Sequence, residues 1–309
     1  MVADATAGNA GNTGDWTVRK VLEWTTGHLK KHGSGTPRLD AEVLLAHARK
    51  CLRIQLYTQY DEILSDEVRG VMRDLVQRRA QHEPVAYLVG EREFFSLPFF
   101  VSRDVLIPRP DTETLVIQVV ECLKPPPAED GTVPPAEDVR IADLCTGSGC
   151  VAVAIATQWP SASVVATDLS EKALAVAKSN IDRHGLAARI ELRQGSLLDP
   201  LKGLPPFYVI ASNPPYIPKA EIETLDPDVR RHEPHLALDG GMEGLDCLRP
   251  LIEHGSDHLL PGGWMLLEFT PEQAAMLVSI AEASGHWSHI EVVKDLGQTP
   301  RILKLRKKS

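Results

Sequence analysis

The segment Arg140-Ile141-Ala142-Asp143-Leu144-Cys145-Thr146-Gly147-Ser148-Gly149 joins a short apolar run to a glycine-rich turn. The run Arg140–Leu144 predicts a buried strand, and an apolar helical segment, Val151–Gln158, follows the turn. A strand, a glycine-rich turn and a helix start together bring backbone N–H groups close to a ligand. We therefore predict an α/β fold that binds a ligand at this turn.

A second strand is predicted at Ser163–Asp168, where Asp168 stands about twenty residues after the glycines. An acid at this distance can accept hydrogen bonds from the hydroxyls of a ribose. The glycine pattern is weak evidence by itself, because a nicotinamide-binding Rossmann domain uses a similar acid. A further motif is needed to distinguish the ligands.

The tetrapeptide Asn213-Pro214-Pro215-Tyr216 supplies that motif, since it follows a third predicted strand, Phe207–Ser212. Proline has no N–H and holds the preceding residue extended, so the loop offers hydrogen-bond acceptors and few donors. The Asn213 side-chain oxygen and the Pro214 carbonyl can each accept one N–H of a planar NH2 group, while Tyr216 supplies a flat wall. The loop suits a substrate nitrogen that must face an electrophile, although the same residues also occur in turns that have only a structural role.

At these motifs the sequence resembles the class I methyltransferases that use S-adenosyl-L-methionine, and within them the glutamine N5-methyltransferases of peptide chain release factors. Further segments similar to that family are Phe95–Phe99, Leu106–Glu113, Asp228–Arg230, Glu233–Pro234, Leu236–Gly241 and Pro261–Trp264. The resemblance implies methyl transfer to the side-chain amide nitrogen of the glutamine in the Gly-Gly-Gln motif of class 1 release factors. It also implies a Rossmann-like, mostly parallel sheet whose last strand is antiparallel.

The resemblance also implies which residues form the site. The expected cofactor-binding residues are Asp143, Cys145, Thr146, Gly147, Ser148, Gly149, Asp168, Leu169, Ser196, Leu197 and Asn213. The expected catalytic and substrate-binding residues are Asn213, Pro214, Pro215 and Tyr216, with Arg109 and Glu113 added for substrate binding. No metal is implied.

Three positions depart from the family pattern. Cys145 stands where glycine is usual, so its backbone is expected to adopt a conformation that a Cβ permits. Ser196 stands where an acid is common, which removes a carboxylate contact to adenine but leaves Leu197 to pack on the ring. Thr270 ends a Glu268-Phe269-Thr270 segment that is usually Glu-Ile-Gly.

The composition is that of an ordinary soluble protein of 309 residues, with 43% hydrophobic and 24% charged residues. A net charge of -9 argues against bulk nucleic-acid binding, because neutralising phosphates needs an excess of Lys and Arg. The five cysteines include no Cys-x-x-Cys pair, which favours a cytoplasmic protein without structural metal. We expect no membrane span and no signal peptide.

Four regions are predicted along the chain. Residues 1–15 form a disordered tail, 16–90 a small helical substrate-recognition domain, 91–110 a β-hairpin linker and 111–309 the methyltransferase domain. The proline-rich acidic duplication at Lys124–Asp138 predicts an exposed loop.

Apolar residues at helical spacing predict three core faces in the helical domain. They are Val18, Val21, Leu22, Thr25 and Leu29; Leu39, Val43 and Leu44; and Val68, Val71, Met72, Leu75 and Val76 after a Ser65 cap. The third helix also carries or adjoins Arg69, Arg73, Arg78 and Arg79, which form either a solvated face or a docking surface for a protein substrate.

In the methyltransferase domain a hairpin is predicted over Phe94–Ile107, around Leu97-Pro98, followed by a helix capped by Asp111 or Thr112. The remaining strands and helices alternate, which predicts a parallel sheet covered on both faces. The strands are expected at Ile190–Gln194, Gly263–Phe269, Ile290–Val293 and Ile302–Leu305, and the helices at Glu171–His184 and Glu272–Ser284.

Other functions share the Asn213–Tyr216 loop. A glutamine methyltransferase of a large-subunit ribosomal protein differs in the pattern around Pro110–Glu113. An adenine-N6 DNA methyltransferase is expected to bring a basic groove and a target-recognition insertion, and neither is visible. A non-enzymatic adaptor that binds S-adenosylmethionine is the third alternative, and only turnover distinguishes it.

Overall fold

The computed structural model describes residues 15–124 and 139–309. The chain divides into two compact units, Met1–Val89 and Gly90–Ser309. The predicted disordered tail, apart from Asp15, and the predicted loop at Lys124–Asp138, apart from Lys124, lie outside the described residues.

The N-terminal unit is helical. Its helices are α1 (Val18–Lys31), α2 (Pro37–Arg49), α3 (Arg53–Thr58), α4 (Asp66–Arg79) and α5 (Val85–Val89). The Ser65 cap is confirmed, because its hydroxyl accepts the Val68 N–H at 3.3 Å. The apolar stripe predicted for α1 is buried in full, and it packs with α2 and α4 around one core.

Three expectations for this unit are wrong. Leu39 and Val71 are 43% and 42% exposed, although both were expected in the core. Each lies about 100° around its helix from a residue that does face inward, Asp40 and Met72 respectively. Arg79 is not on a solvated face, because it is buried and its Nε donates to Asp40 Oδ2 at 2.8 Å.

The C-terminal unit begins with a hairpin of β1 (Glu91–Phe94) and β2 (Leu97–Phe100). Its turn lies earlier than predicted, at Phe95-Ser96, where both residues have positive φ (52° and 59°) as a two-residue type I′ turn requires. No strand or helix follows between residues 101 and 109, so the prediction of a hairpin reaching Ile107 is wrong.

A seven-stranded sheet is the centre of this unit. Its strands are β3 (Arg140–Leu144), β4 (Ser163–Asp168), β5 (Ile190–Gln194), β6 (Phe207–Ser212), β7 (Leu259–Glu268), β8 (Trp287–Lys294) and β9 (Pro300–Lys307). Their order is β5-β4-β3-β6-β7-β9-β8, and only β9 pairs antiparallel, with β7 and β8. The mostly parallel sheet with an antiparallel last strand is therefore confirmed.

Helices cover both faces of the sheet. The helices of this unit, in chain order, are α6 (Glu113–Leu123), α7 (Cys150–Gln158), α8 (Glu171–Arg183), α9 (Lys219–Ile222), α10 (Pro227–His232), α11 (Leu248–His254) and α12 (Ala274–Ser284). Alternate strand residues enter opposite cores: Val209 and Ala211 join α6 and α7 on one face, while Ile210 joins α11 and α12 on the other. Within the two described stretches, no helix has the length and apolarity needed to cross a membrane.

Candidate active site

The site lies where the strand order changes direction. After β3 the chain continues to β4 and β5 on one side, and β6 then returns to the other side of β3. Leu144 and Ser212 are paired at the carboxyl ends of β3 and β6, so the loops that follow them diverge above one crevice. Such a crevice is the usual ligand site of an open α/β sheet, and here it holds a cavity of about 300 Å3.

Most of the residues expected at the site line this cavity. The twelve are Arg109, Asp143, Cys145, Thr146, Gly147, Ser148, Asp168, Leu169, Ser196, Leu197, Asn213 and Pro215. The glycine-rich turn, the end of β4, the turn after β5 and the loop after β6 are thereby brought together.

Four expected residues do not line the cavity. Glu113 is engaged elsewhere, because its Oε1 accepts the Phe95 N–H of the hairpin turn at 2.9 Å. Gly149 packs on α8, where an added Cβ would lie 3.2 Å from the Ala177 Cβ. Pro214 is buried, and Tyr216 packs against the hydrophobic core on the face of the sheet that α11 and α12 cover. Tyr216 is therefore not part of the lining of this cavity, and the flat wall that the sequence suggested stays a prediction.

Asp143 holds the glycine-rich turn through two hydrogen bonds. Its Oδ2 accepts the Thr146 hydroxyl at 2.6 Å and the Ala152 N–H at 3.1 Å. Asp143 is 1% exposed, and this burial raises the pKa of its carboxyl from 3.8 to about 7. The side chain therefore fixes the turn to the start of α7.

Asp168 fixes the same turn from the neighbouring strand. Its Oδ2 accepts the Gly147 N–H and its Oδ1 the Ser170 N–H, both at 2.9 Å. Burial raises the pKa of this carboxyl above its ordinary value, while the backbone N–H groups act against that rise. Each carboxylate oxygen retains a lone pair, so Asp168 can still accept a hydrogen bond from a ligand hydroxyl in the cavity.

Cys145 keeps the backbone that glycine would have in this turn. Its φ is 58°, inside the small left-handed region that a side chain with a Cβ can enter at a cost of about 1–2 kcal/mol. The expectation of a conformation that a Cβ permits is confirmed in this restricted sense. Cys145 is half-buried, and desolvation raises the pKa of its thiol, with Asp168 and Cys247 adding to the rise.

Asn213 lies at the mouth of the cavity with its amide held by Thr112. Its Nδ2 donates to Thr112 Oγ1 at 3.0 Å, and Thr112 is 3% exposed. Thr112 is the N-cap residue of α6, as predicted, but its side chain makes no capping hydrogen bond. The Thr112 hydroxyl oxygen instead accepts the hydrogen bond from Asn213, which follows β6.

Arg109 enters the cavity from the segment that follows the hairpin. Its Nη2 lies 2.6 Å from Glu233 Oε1, and the other carboxylate oxygen of Glu233 accepts the Ile107 N–H at 3.2 Å. Glu233 is 4% exposed, and burial raises its pKa while Arg109 acts against the rise. This pair ties the 105–109 segment to the 233–247 segment across the opening.

The 233–247 segment is a wall of the site that the sequence did not assign. It contributes Pro234, Leu236, Ala237, Asp239, Asp246 and Cys247 to the cavity. Glycines place it directly on the Asn-Pro-Pro-Tyr loop: a Cβ on Gly240 would lie 2.7 Å from the Tyr216 Cα, and one on Gly244 would lie 2.2 Å from the Tyr216 carbonyl oxygen. The glycine pair Gly240-Gly241, in a segment that resembles the family, is the feature of the sequence that could have identified this wall.

The charges around the cavity are predominantly negative. Five aspartates and one arginine line it, and the arginine is paired with Glu233. The aspartates are Asp104, Asp143, Asp168, Asp239 and Asp246. Such a surface repels the pyrophosphate of a dinucleotide and attracts a cationic ligand.

Comparisons with known proteins agree with this architecture. Residues 20–90 match the family model described as PrmC N-terminal domain, and residues 131–230 match the model described as Methyltransferase small domain. Among solved structures, the fold is similar to a methyltransferase from Pyrococcus furiosus (TM-score 0.50, 20% identity, 75% of this chain and 99% of that one). It is also similar to the catalytic domain of hMettl16 in complex with MAT2A 3'UTR hairpin 6 (TM-score 0.55, 15% identity, 74% and 81%).

Curated relatives are similar along almost the whole chain. A release factor glutamine methyltransferase of Rhodopirellula baltica is 42% identical over 296 residues, which cover 96% of this chain and 98% of the relative. A protein of the same name from Geobacter sulfurreducens is 43% identical, with 87% and 90% covered. Together with the methyltransferase sheet and the Asn213–Tyr216 loop at its switch point, these matches show that the chain belongs to the release factor glutamine methyltransferase family.

Proposed function

We propose that this protein transfers the methyl group of S-adenosylmethionine to the side-chain amide nitrogen (N5) of the Gly-Gly-Gln glutamine in class 1 peptide chain release factors. The observation that carries the proposal is that Asn213 and Pro215 line the same cavity as Gly147 and Asp168. One cavity can therefore hold both a methyl donor and a side-chain amide.

The residues present fit S-adenosylmethionine as the donor. Asp168 has acceptor capacity for ribose hydroxyls, and the apolar side chains of Leu169 and Leu197 line the cavity beside it. Five aspartates suit a sulfonium cation better than they suit a dinucleotide. When bound, the cofactor supplies an electrophilic methyl group on that sulfonium.

An amide nitrogen is a weak nucleophile, so the loop contributes to the reaction by positioning that nitrogen. Asn213 accepts an N–H of the glutamine amide through its side-chain oxygen, and the Pro214 carbonyl is proposed to accept the other. Held in this way, the glutamine nitrogen would take the methyl group that bound S-adenosylmethionine would supply, S-adenosylhomocysteine would be left, and the amide proton would pass to water. Orientation and the exclusion of water can contribute roughly 7–11 kcal/mol in favourable cases, so no side-chain base is required.

The test is mass spectrometry of a purified release factor after incubation with the protein and S-adenosylmethionine. We expect one added methyl group on the Gly-Gly-Gln glutamine, and none on a release factor in which that glutamine is replaced by glutamate. Methyl transfer to a ribosomal protein or to DNA, with none to the release factor, would contradict the proposal. Binding of the cofactor without turnover on any of these substrates would favour an adaptor.

For the N-terminal unit we propose a part in holding the release factor. A groove of about 600 Å3 lies between α1 and α4, with Val21, Met72 and Val76 among its apolar residues. Trp24 lies at the groove, is 50% exposed and stacks on His28 at 4.9 Å between ring centroids. An exposed tryptophan beside an apolar groove is a typical anchor for a protein partner.

The charge of this groove indicates the chemistry of its occupant. Of the residues that the structure describes, Arg69 and Arg73 line it and no carboxylate does, in a chain whose net charge is -9. Arg69 is paired with Asp66, whereas Arg73 has no ion pair among the described residues. Charge complementarity therefore favours an acidic segment of the release factor that carries an apolar anchor.

The intracellular setting of this substrate accords with the proposed cytoplasmic location. All five cysteines are free thiols.

A further inference from the structure

We propose that Thr112 and Glu268 are positioning residues that fix which way round the Asn213 amide lies, so that its oxygen and not its nitrogen faces the substrate. The inference rests on the proposed methylation of a glutamine amide and names what orients the loop that performs it.

The orientation of Asn213 matters because its two amide ends have opposite hydrogen-bonding properties. With Nδ2 donating to Thr112 Oγ1 at 3.0 Å, the oxygen Oδ1 is left to accept an N–H from the substrate. In the reversed amide, Nδ2 would face the NH2 group of a glutamine, and two donors would oppose each other. A hydroxyl alone does not choose between these arrangements, since it can either donate or accept.

Glu268 makes the choice. This residue ends β7, is 2% exposed, and its Oε1 accepts the Tyr216 hydroxyl at 3.2 Å. Its Oε2 is buried and has no partner with hydrogen-bond geometry among the described residues. An unpaired buried carboxylate oxygen costs free energy, so a donor that can turn toward it is favoured.

Thr112 is that donor. Its hydroxyl favours the charged form of Glu268 and acts against the rise in the pKa of that carboxyl. Above about pH 7, where Glu268 is ionised, its carboxylate only accepts, so the single proton of Thr112 is directed to Glu268 and the Thr112 oxygen then accepts from Asn213. The direction of donation therefore runs from Asn213 to Thr112 to Glu268.

Neither Glu268 nor Tyr216 is among the residues that line the cavity. Glu268 thus acts on the substrate only through Thr112 and Asn213. It also holds Tyr216, whose backbone continues the same loop, so one carboxylate supports both ends of Asn213–Tyr216.

The test compares Thr112→Val, Thr112→Ser and Glu268→Gln with wild type in single-turnover methylation of intact release factor. Glu268→Gln keeps the shape but adds an NH2 donor, so it releases the constraint on Thr112. We expect Thr112→Val and Glu268→Gln to lose roughly ten- to hundred-fold in rate, because the acceptor is no longer presented. Thr112→Ser keeps the hydroxyl and should remain within about three-fold, and cofactor affinity should change by about two-fold or less.

Thr114→Val is the matched control, since Thr114 is a buried threonine of α6 outside the cavity. A rate for Thr112→Val close to that of Thr114→Val would overturn the inference. A Thr112→Ser variant as slow as Thr112→Val, or a parallel loss of cofactor affinity, would also overturn it, because those results indicate a general structural role.

A measurement without substrate separates this inference from the proposed function. In wild type the Asn213 side-chain NH2 should exchange slowly with water by NMR, since Thr112 holds it, and it should exchange faster in Glu268→Gln. That difference, with wild type failing to methylate release factor, would remove the proposed function and leave the orientation intact. Equal exchange in both proteins would remove the orientation whatever the activity.

Discussion

At the scale of single residues, Asp168 has two tasks that share one carboxylate. It accepts the backbone N–H groups of Gly147 and Ser170, and it faces the cavity beside Leu169. The first task holds the glycine-rich turn in place, and the second offers hydrogen-bond acceptors to a ligand. A substitution here therefore affects the shape of the turn as well as its chemistry.

Asp168→Ala is expected to weaken S-adenosylmethionine binding by roughly 1.5–3 kcal/mol, because charge-assisted hydrogen bonds are lost. Isothermal titration calorimetry measures this directly. Asp182→Ala, a change of an exposed aspartate on α8, provides the control and should bind as wild type does. Unchanged affinity in Asp168→Ala would remove the residue from the cofactor site.

Residue identities predicted the chemistry of the site better than they predicted side-chain partners. Asp168 and Asn213 are recognisable because Asp168 ends an apolar strand and Asn213 directly follows one, where a polar side chain has few roles besides a ligand contact. Thr112 was assigned a helix cap by the local rule, yet its hydroxyl bonds to Asn213, 101 residues away in sequence. Local sequence patterns do not predict a hydrogen bond between residues that lie so far apart in the chain.

At the scale of elements, the strand ends decide what the sheet can bind. β3, β4 and β6 were predicted with the bounds that the structure has, since each is a short apolar run closed by polar residues. The 233–247 wall has no such run, and it is held by an Arg109–Glu233 pair and by glycines pressed on Tyr216. Contacts of that kind depend on the finished fold, so the wall could not be derived from periodicity.

Two strand ends also bury carboxylates that make stability depend on pH. Glu268 ends β7, and burial raises its pKa from 4.5 to about 7, as it raises that of Asp143 in β3 from 3.8 to about 7. Around Glu268, Thr112, Tyr216 and Arg301 act against the rise, while Asp111 adds to it.

Between about pH 4 and pH 7 the folded protein holds protons that the unfolded chain has lost. The contribution of these groups is therefore fully present below about pH 4 and is lost as pH rises through about 7. Glu268→Gln removes one of them, so urea titrations at pH 5 to 8 should show a shallower fall in unfolding free energy than in wild type. Glu221→Gln, at an exposed site on α9, should leave the slope unchanged. Parallel curves for wild type and Glu268→Gln would contradict the raised pKa.

At the scale of the whole molecule, we propose that the two units divide the work of recognition. In this proposal the sheet unit holds the cofactor and one glutamine, which is a small part of a release factor. A stable contact with a folded protein needs several hundred Å2 or more per partner, so further surface is required. The groove of Trp24 and Arg73 offers such a surface in the helical unit.

Trp24→Ala and Arg73→Glu are expected to raise the KM for intact release factor roughly ten-fold each, because an anchor and a complementary charge are lost. The rate at saturation should remain unchanged, and so should kcat/KM for a short peptide that contains the Gly-Gly-Gln motif, since the peptide engages the cavity alone. Lys30→Glu, an equal charge reversal at an exposed α1 position outside the groove, is the control. Steady-state kinetics on both substrates measure these effects, with circular dichroism to confirm that each variant is folded. If Trp24→Ala and Arg73→Glu match Lys30→Glu on intact release factor, the groove has no part in binding it.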